Sequence, residues 1–383
     1  MKYLINARLI LADKILENAS LVIEEGKISA INPEVAPDLS PIDCENRYVM
    51  PGMIDLHADA LEKEIEPRPN VHFPLPFAIA QVDKRNAAAG ITTPYHSLSF
   101  ANKELGLRNN KMAADIVRAI HDFNGKGLVD NRVHTRYEIT DPTALPVLKQ
   151  LLDEDSVHLL SIMDHTPGQG QFKDMRAFQD YLSKSYHKTE VETQAIIDEK
   201  LGQAEAAQVR VKELIAYAHS KNVHVASHDD DCPEKVAEIL DLGVHISEFP
   251  INLETAKVAY DSGMTTIMGA PNILRGKSQS GSMKAQDGIE HNVVSCLCSD
   301  YSPASLLVSL FLLEERRIIS LPDAVKLVTI NPAKAVGLND RGEIAEGKRA
   351  DLLCVDMVDG YPQVRQTWVN GRLVYQAGYA HGE

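Results

Sequence analysis

Hydrophobic and polar residues alternate in short stretches through "KYLINARLILADKILENASLVIEEGKISAINPE", with a polar break at Glu25-Gly26. Period-two patterning interrupted by turns predicts a small antiparallel sheet. The C-terminal stretch "ADLLCVDMVDGYPQVRQTWVNGRLVYQAGY" has the same texture, and Asn370-Gly371 is a two-residue hairpin signal between two β-rich runs. The two ends are expected to pair into one discontinuous β-sandwich built from residues 1–50 and 340–383.

The middle of the chain follows another rhythm. Apolar runs recur as "GMIDLHAD", "GITTPYHS", "NRVHTRYEIT", "VHLLSIMDH", "NVHVASHDD", "VHISEFPIN", "MTTIMGAPN" and "NVVSCLCSD". Amphipathic patterns such as "KMAADIVRAIHDF" and "EAAQVRVKELIAYAHSKN" lie between them. Eight strands alternating with helices predict an α/β fold, a (β/α)8 TIM-like barrel over residues 51–339. In such a barrel the active site sits where the strands end.

Nearly every run ends in a ligand-capable group: His57 and Asp59, His96, Glu138, His165, His228, Asn272 and Asp300. His57 and Asp59 are two apart on a strand and point the same way, a chelating imidazole–carboxylate pair for a divalent cation. Taken alone, a His-x-Asp reads more readily as a polar strand end. His134, Arg136 and Glu138 share one face by the same parity, and buried charges need partners or a metal. An internal Arg–Glu pair is the plain reading. The functional one makes Glu138 a carboxylate able to bridge two metals, with His134 and Arg136 deeper and in support.

His165 and His228 each close a run, and their common placement favours ligands. Asp229, Asp230 and Asp231 suit a solvated turn or helix cap, one of them orienting a ligand histidine. Asp300 ends the eighth run, where a carboxylate can touch a metal and take a proton from water. His96 stays undecided, at the mouth but outside this set.

"GAPNILRGKSQSGSM" combines Arg275, Lys277, Ser278, Ser280 and two glycines in the loop after the seventh strand. Hydroxyls and cations on a glycine-rich backbone suit a polyanion, and a flexible polar loop is the alternative. It is no Walker A loop, lacking the upstream glycine at the right spacing. Lys63 and Arg68 would add positive charge on the same rim.

Composition narrows the function. The 383 residues are 44% hydrophobic, enough for a full core and for more than one compact unit. A formal charge of −15 argues against a broad nucleic-acid surface, so an anionic ligand would need local cations or metals. Five cysteines without a framework spacing suit reduced thiols in a cytoplasmic protein. The N-terminal apolar run is broken by Arg8, Asp13 and Lys14, unlike a signal peptide, and no run reaches membrane-spanning length. The stretch from about Gly168 to Ala216 is helical in pattern and rich in Glu and Lys, which fits a solvated face. Nothing in the sequence decides against a homo-oligomer.

"PGMIDLH" behind a β-rich start, together with "TINPAKAVGLNDRGEIAEGKRADLLCVD", resembles the amidohydrolase superfamily over essentially the whole chain. The resemblance implies a metal-dependent hydrolase. This chain departs from the superfamily's commonest pattern: His57-Ala58-Asp59 replaces His-x-His, no clear lysine ends strand four, and strand six ends in Glu248. These departures, with "DLHADALEKEIEPRP", "MDHTPGQGQ", "SHDD", "SEFP", "GAPNILRG" and "SDYSPASLL", are similar to the α-D-ribose 1-methylphosphonate 5-triphosphate diphosphatase family of the carbon–phosphorus lyase pathway.

That resemblance implies hydrolysis within a phosphorylated small molecule, releasing pyrophosphate. It implies two divalent ions, zinc or manganese, held by His57, Asp59, Glu138, His165, His228 and Asp300, with Asp300 also accepting the proton of the attacking water. Arg275 and Lys277 would neutralise the leaving pyrophosphate. A cyclic-amide hydrolase or deacylase of hydantoinase or dihydroorotase type is the alternative on the same scaffold. A catalytically dead assembly scaffold is a third, disfavoured by the intact set of strand-end ligands.

Overall fold

The computed structural model describes residues 1–101, 109–164, 189, 193–194, 197–198, 202, 204–278 and 282–379. His165, Ser280 and most of the segment 168–216 lie outside the described residues.

Each of the eight apolar runs becomes a strand: β6 (Met53–Ala58), β7 (Ile91–Phe100), β8 (Arg132–Glu138), β9 (Leu159–Met163), β10 (His224–His228), β11 (Ile246–Glu248), β12 (Thr265–Gly269) and β13 (Cys296–Cys298). They follow β1 (Lys2–Ile10), β2 (Ile15–Glu24), β3 (Lys27–Ile31), β4 (Ile42–Asp43) and β5 (Tyr48–Pro51). The barrel strands pair in parallel and in chain order from β6 to β13. Every residue of β6 and β7 is buried, as expected of strands covered on both faces. The last strand is only three residues long, yet the barrel closes through a parallel bridge between Ala58 and Asp300.

Helices form the outer ring, among them Leu75–Ala89, Asn110–Phe123, Ala144–Asp153 and Ala204–Ser220. The pattern "KMAADIVRAIHDF" falls on the second of these, where Asn109 Oδ1 accepts from Met112 N at 2.8 Å and caps the helix start. No described helix is long and apolar enough to cross a membrane.

The ends of the chain make the second sheet, joined by β14 (Leu352–Val358), β15 (Tyr361–Val369) and β16 (Arg372–Gln376). β14 pairs antiparallel with β5, so N- and C-terminal segments share one ladder. The path runs β16-β15-β14-β5-β1-β2-β3, with β4 beside β1. Leu4, Leu21, Ile28, Leu352 and Trp368 pack into a common core. The two turns flagged by the sequence meet there. Glu25-Gly26 and Asn370-Gly371 both have positive φ at both positions, and a Cβ on Gly26 would collide with Asn370.

A buried arginine joins this sheet's chain segment to the barrel, at the start of strand β8. Arg341 Nη1 donates to Asp130 Oδ2 at 2.6 Å and to Thr93 Oγ1 at 3.1 Å. Arg349 Nε donates to Asp351 Oδ1 at 2.9 Å, and the same oxygen accepts from Asn370 N at 2.7 Å.

Candidate metal centre

The barrel interior changes chemistry within one pleat. Leu159, Ala226, Ile246, Ile267 and Cys298 pack together with Ala333 and Val336 as an apolar floor. Two residues further along the same strands stand Ser161, His228 and Glu248, on the same side by strand parity, while Asp300 follows the end of β13 in a left-handed conformation with φ of 52°. The polar layer is therefore dictated by strand periodicity over a dry floor.

At its centre, ligand atoms of His57, His134 and Glu248 all lie within 4.8 Å of one another, and all three residues are buried. His57 Nδ1 is 3.0 Å from Glu248 Oε1, and its Nε2 is 3.4 Å from Asp59 Oδ1. Ser161 Oγ donates to Glu248 Oε2 at 2.7 Å. His134 Nδ1 lies 3.0 Å from both the Leu56 carbonyl and Ser97 Oγ; the carbonyl can only accept, and a ring proton on Nδ1 satisfies it. That leaves His134 Nε2 as a lone pair 3.5 Å from Glu248 Oε2, and Nε2 has no hydrogen bond among the described residues.

Burial, only partly offset by Glu248, lowers the His134 pKa to about 3, so the ring is neutral. Burial alone would raise Glu248, but the charged His57 hydrogen-bonded to it holds it well below the usual carboxylate range. Two buried lone pairs thus face each other, an arrangement a cation between them would relieve. For His57, burial favours the neutral form, yet Glu248 and Asp59 overcome it and raise the pKa to about 10. A protonated His57 holds positive charge where a metal ion would bring its own. The donor set fits a divalent ion that takes imidazole and carboxylate ligands.

The seam between β6 and β13 builds the other side. Asp300 N donates to His57 O at 3.0 Å, and Asp59 N donates to Asp300 O at 2.8 Å. Asp55, fully buried, accepts from His57 N at 3.2 Å and Ser299 N at 3.0 Å and also binds Ser299 Oγ. Burial lifts its pKa to about 6. Burial and the neighbouring Asp59 raise the pKa of Asp300 as well. A carboxylate with this bias is suited to moving a proton.

His228 Nδ1 lies 3.1 Å from Asp229 Oδ2, so the acid after the strand does contact the histidine. Asp230 instead turns away, binding Ser227 and Ser247 across β10 and β11. Glu138 accepts from Thr140 Oγ1 at 2.7 Å. Arg136 reaches Asp59 Oδ1 at 3.1 Å.

A cavity of about 280 Å³ opens above these groups, lined by His57, Asp59, Arg136, His228, Asp300 and Arg275, with Ser278 at its edge. Lys63, Arg68 and Lys277 are exposed and do not line it. His96 belongs to the scaffold: its Nε2 meets Asn131 Oδ1 at 2.8 Å, and Asn131 is held by Asp83. His134 and Glu248 are the central residues that strand-end reasoning set aside. The signal was present, because "SEFP" puts an acid at a run's end and His134 shares parity with Glu138. Asp55 gave no signal beyond being an acid inside an apolar run.

A model of the amidohydrolase family matches residues 48–374. The α-D-ribose 1-methylphosphonate 5-triphosphate diphosphatase of Escherichia coli K12 is 35% identical over 375 residues, covering 97% of this chain and 99% of that protein. An imidazolonepropionase of Thermoplasma volcanium is 23% identical and covers 94% of this chain and 91% of its own. Among solved structures, N-acetyl-D-glucosamine-6-phosphate deacetylase of Mycobacterium smegmatis superposes with a TM-score of 0.66 at 17% identity, covering 98% of this chain and 100% of that one. The 5-methylcytosine deaminase of Klebsiella pneumoniae gives 0.66 at 15% identity with both chains fully covered. At such identities the structures speak for the fold alone. The family match and the end-to-end relative agree with the barrel, its composite sheet and its buried ligand cluster, and this chain belongs to the amidohydrolase family.

Proposed function

We propose that this chain is a metal-dependent hydrolase acting on α-D-ribose 1-methylphosphonate 5-triphosphate, releasing pyrophosphate and leaving the 5-phosphate. The observation that carries this reading is the 35% identity to the Escherichia coli diphosphatase over 99% of that protein's length. Arginines at two depths of the cavity, Arg136 and Arg275, support a polyanionic substrate.

His57, His134 and Glu248 would hold one divalent ion. Asp59, Glu138, His228, Asp300 and His165 would serve a second. Zinc or manganese suits such mixed imidazole and carboxylate donors. When bound, the ions supply Lewis acidity, polarising a phosphoryl oxygen and easing the ionisation of water.

The chain's own groups do the rest. Asp300 takes the proton of the attacking water, in a position fixed by its paired backbone bonds to His57 and Asp59. Arg275 and Ser278 bind the departing pyrophosphate, and exposed Lys63, Arg68 and Lys277 draw in a polyanion against the chain's acidic field, a part the loop sequence also assigns to Ser280. All five cysteines are free thiols, in keeping with a cytoplasmic enzyme.

The test is pyrophosphate release from a panel of ribose and nucleoside 5-triphosphates, run beside ring opening of hydantoins, on protein purified without chelator. Ring opening without pyrophosphate release would replace this reading by the cyclic-amide one. That alternative lacks the lysine at the end of β9 that a carbamylated bridge requires.

A further inference from the structure

We propose that Arg136 is a substrate-binding cation, its guanidinium receiving two oxygens of the phosphoryl group at the reacting centre. The inference deepens the reading above and rests on it for the identity of the substrate.

On β8 three charged or ionisable side chains are stacked along one interior face. His134 faces Glu248 at the floor, Glu138 is bound by Thr140 at the mouth, and Arg136 lies between them. The Arg136 side chain is only 7% exposed, and it lines the same cavity as His57, Asp59, His228 and Asp300. Its Nη2 is 3.1 Å from Asp59 Oδ1. Neither Nε nor Nη2 makes a hydrogen bond among the described residues.

Burying a guanidinium and leaving donors unspent is costly, and the cost persists only where something else is served. The neighbouring carboxylates Asp59 and Asp300 are the groups a divalent ion would claim. With ions in place, Arg136 is surplus positive charge on a residue that lines the cavity. Among the described residues no further carboxylate lies within ion-pair distance of it, and an anion entering the cavity fits the place.

The planar fork of a guanidinium matches two oxygens of a tetrahedral phosphoryl group. A cyclic amide offers a single neutral carbonyl oxygen and would leave the fork unpaired. Arg275, exposed at the rim and hydrogen-bonded to Tyr301 Oη at 3.2 Å, stands further out. An inner and an outer arginine suit a triphosphate lying across the mouth, with the reacting phosphorus nearest Arg136 and the two departing phosphates toward Arg275.

The rival role is purely positional, with Arg136 doing no more than holding Asp59. Titration of metal-loaded protein with ribose 5-phosphate, which carries the phosphoryl group left at the reacting centre, separates the two, using wild type, Arg136→Gln, Arg136→Lys and Arg136→Ala, with metal content measured for each. Arg136→Gln is expected to keep its metal and to bind ribose 5-phosphate about 10- to 100-fold more weakly. Arg136→Lys, which keeps the charge without the fork, should fall between. Added guanidinium ion should restore part of the affinity of Arg136→Ala. Unchanged affinity in metal-replete Arg136→Gln overturns the inference, as does a loss that follows metal loss and resists guanidinium. Wild type that binds no ribose 5-phosphate overturns it too. Arg136-dependent binding without cleavage of any 5-triphosphate removes the proposed reaction and leaves this inference standing. Cleavage with Arg136-independent ribose 5-phosphate binding does the reverse.

Discussion

His134 Nε2 and Glu248 Oε2 face each other across 3.5 Å at the floor of the barrel mouth, and neither atom brings a proton to the contact. The imidazole has spent its proton on the Leu56 carbonyl, and the carboxylate is ionised. Such a pair is a liability in an empty pocket and an asset around a cation. Glu248→Gln separates the two conditions. The amide N–H it introduces can donate to His134 Nε2, while the charge that attracts a metal is gone. Metal-free Glu248→Gln is expected to be about 3 kcal/mol less stable than wild type by chemical denaturation, because buried His57 loses its charged partner. Its metal affinity should drop at least about 100-fold, so added zinc should raise the melting temperature of wild type and not of the variant. A variant stabilised by zinc as strongly as wild type would remove Glu248 from the metal site.

Metal uptake should also depend on pH in a definite direction. In the metal-free protein Glu248 and Asp59 raise the pKa of His57, against burial, to about 10, so the ring is charged at neutral pH. A nitrogen that coordinates a metal must first lose its proton. Binding near pH 7.5 should therefore expel about one proton, and apparent affinity should climb roughly tenfold per pH unit toward pH 10. Calorimetric titrations in two buffers of different ionisation enthalpy count the proton directly. A flat affinity between pH 7 and 9 would show that His57 is no ligand.

Far from the chemistry, Arg341 ties its chain segment to the barrel. Its side chain is 6% exposed and binds Asp130 and Thr93. Arg341→Met leaves Asp130 without this partner and should cost about 3 kcal/mol in denaturant unfolding while folded enzyme keeps its turnover. Burial acts to raise Asp130, but Arg132 and Arg341 outweigh it and lower its pKa below the ordinary 3.8. Since the folded value is depressed, the stabilisation is present above the ordinary value and lost as pH falls through the folded one. The gap between wild type and variant should thus hold from neutral pH to about 4 and close below it.

The legible part of this molecule was whatever repeats locally. Parallel barrel strands are buried on both faces, so all eight appeared as apolar runs, and type I′ turns announced themselves as Glu25-Gly26 and Asn370-Gly371. Strand parity also brought His57, Arg136 and His228 to one cavity, which Asp59 and Asp300 join from just beyond the ends of their strands. What parity could not supply is depth and partnership. Glu248 matters because it meets His57, 191 residues away in the chain, and no local pattern marks such a pair. Lys63 sits beside the His57 motif in sequence, yet the helix Ala60–Ile65 turns it to solvent. Nearness along the chain is a poor guide once a helix starts.

Phe249 shows how the scaffold holds the site. It follows β11 with φ of 55°, a left-handed conformation that is costly for a bulky side chain. Its backbone N–H still donates to Ile267 O at 2.9 Å, so the ladder continues while the ring swings over the cavity. The ring centroid stands 5.0 Å from that of His57, nearly perpendicular at 83°, and 5.2 Å from that of His228. The strain is sustained because the ring is wedged against two imidazoles. Phe249→Ala loses the wedge and keeps the strain, whereas Phe249→Gly loses both. The glycine variant is therefore expected to be about 1 kcal/mol more stable than the alanine variant, the reverse of their order at an ordinary strand position. Both should lose activity alike, on the order of tenfold, because the imidazoles are freed in each. Paired melting curves and turnover measurements decide it. An alanine variant as stable as the glycine one would mean that the left-handed turn carries no cost. Full activity in either would mean that the ring holds neither histidine.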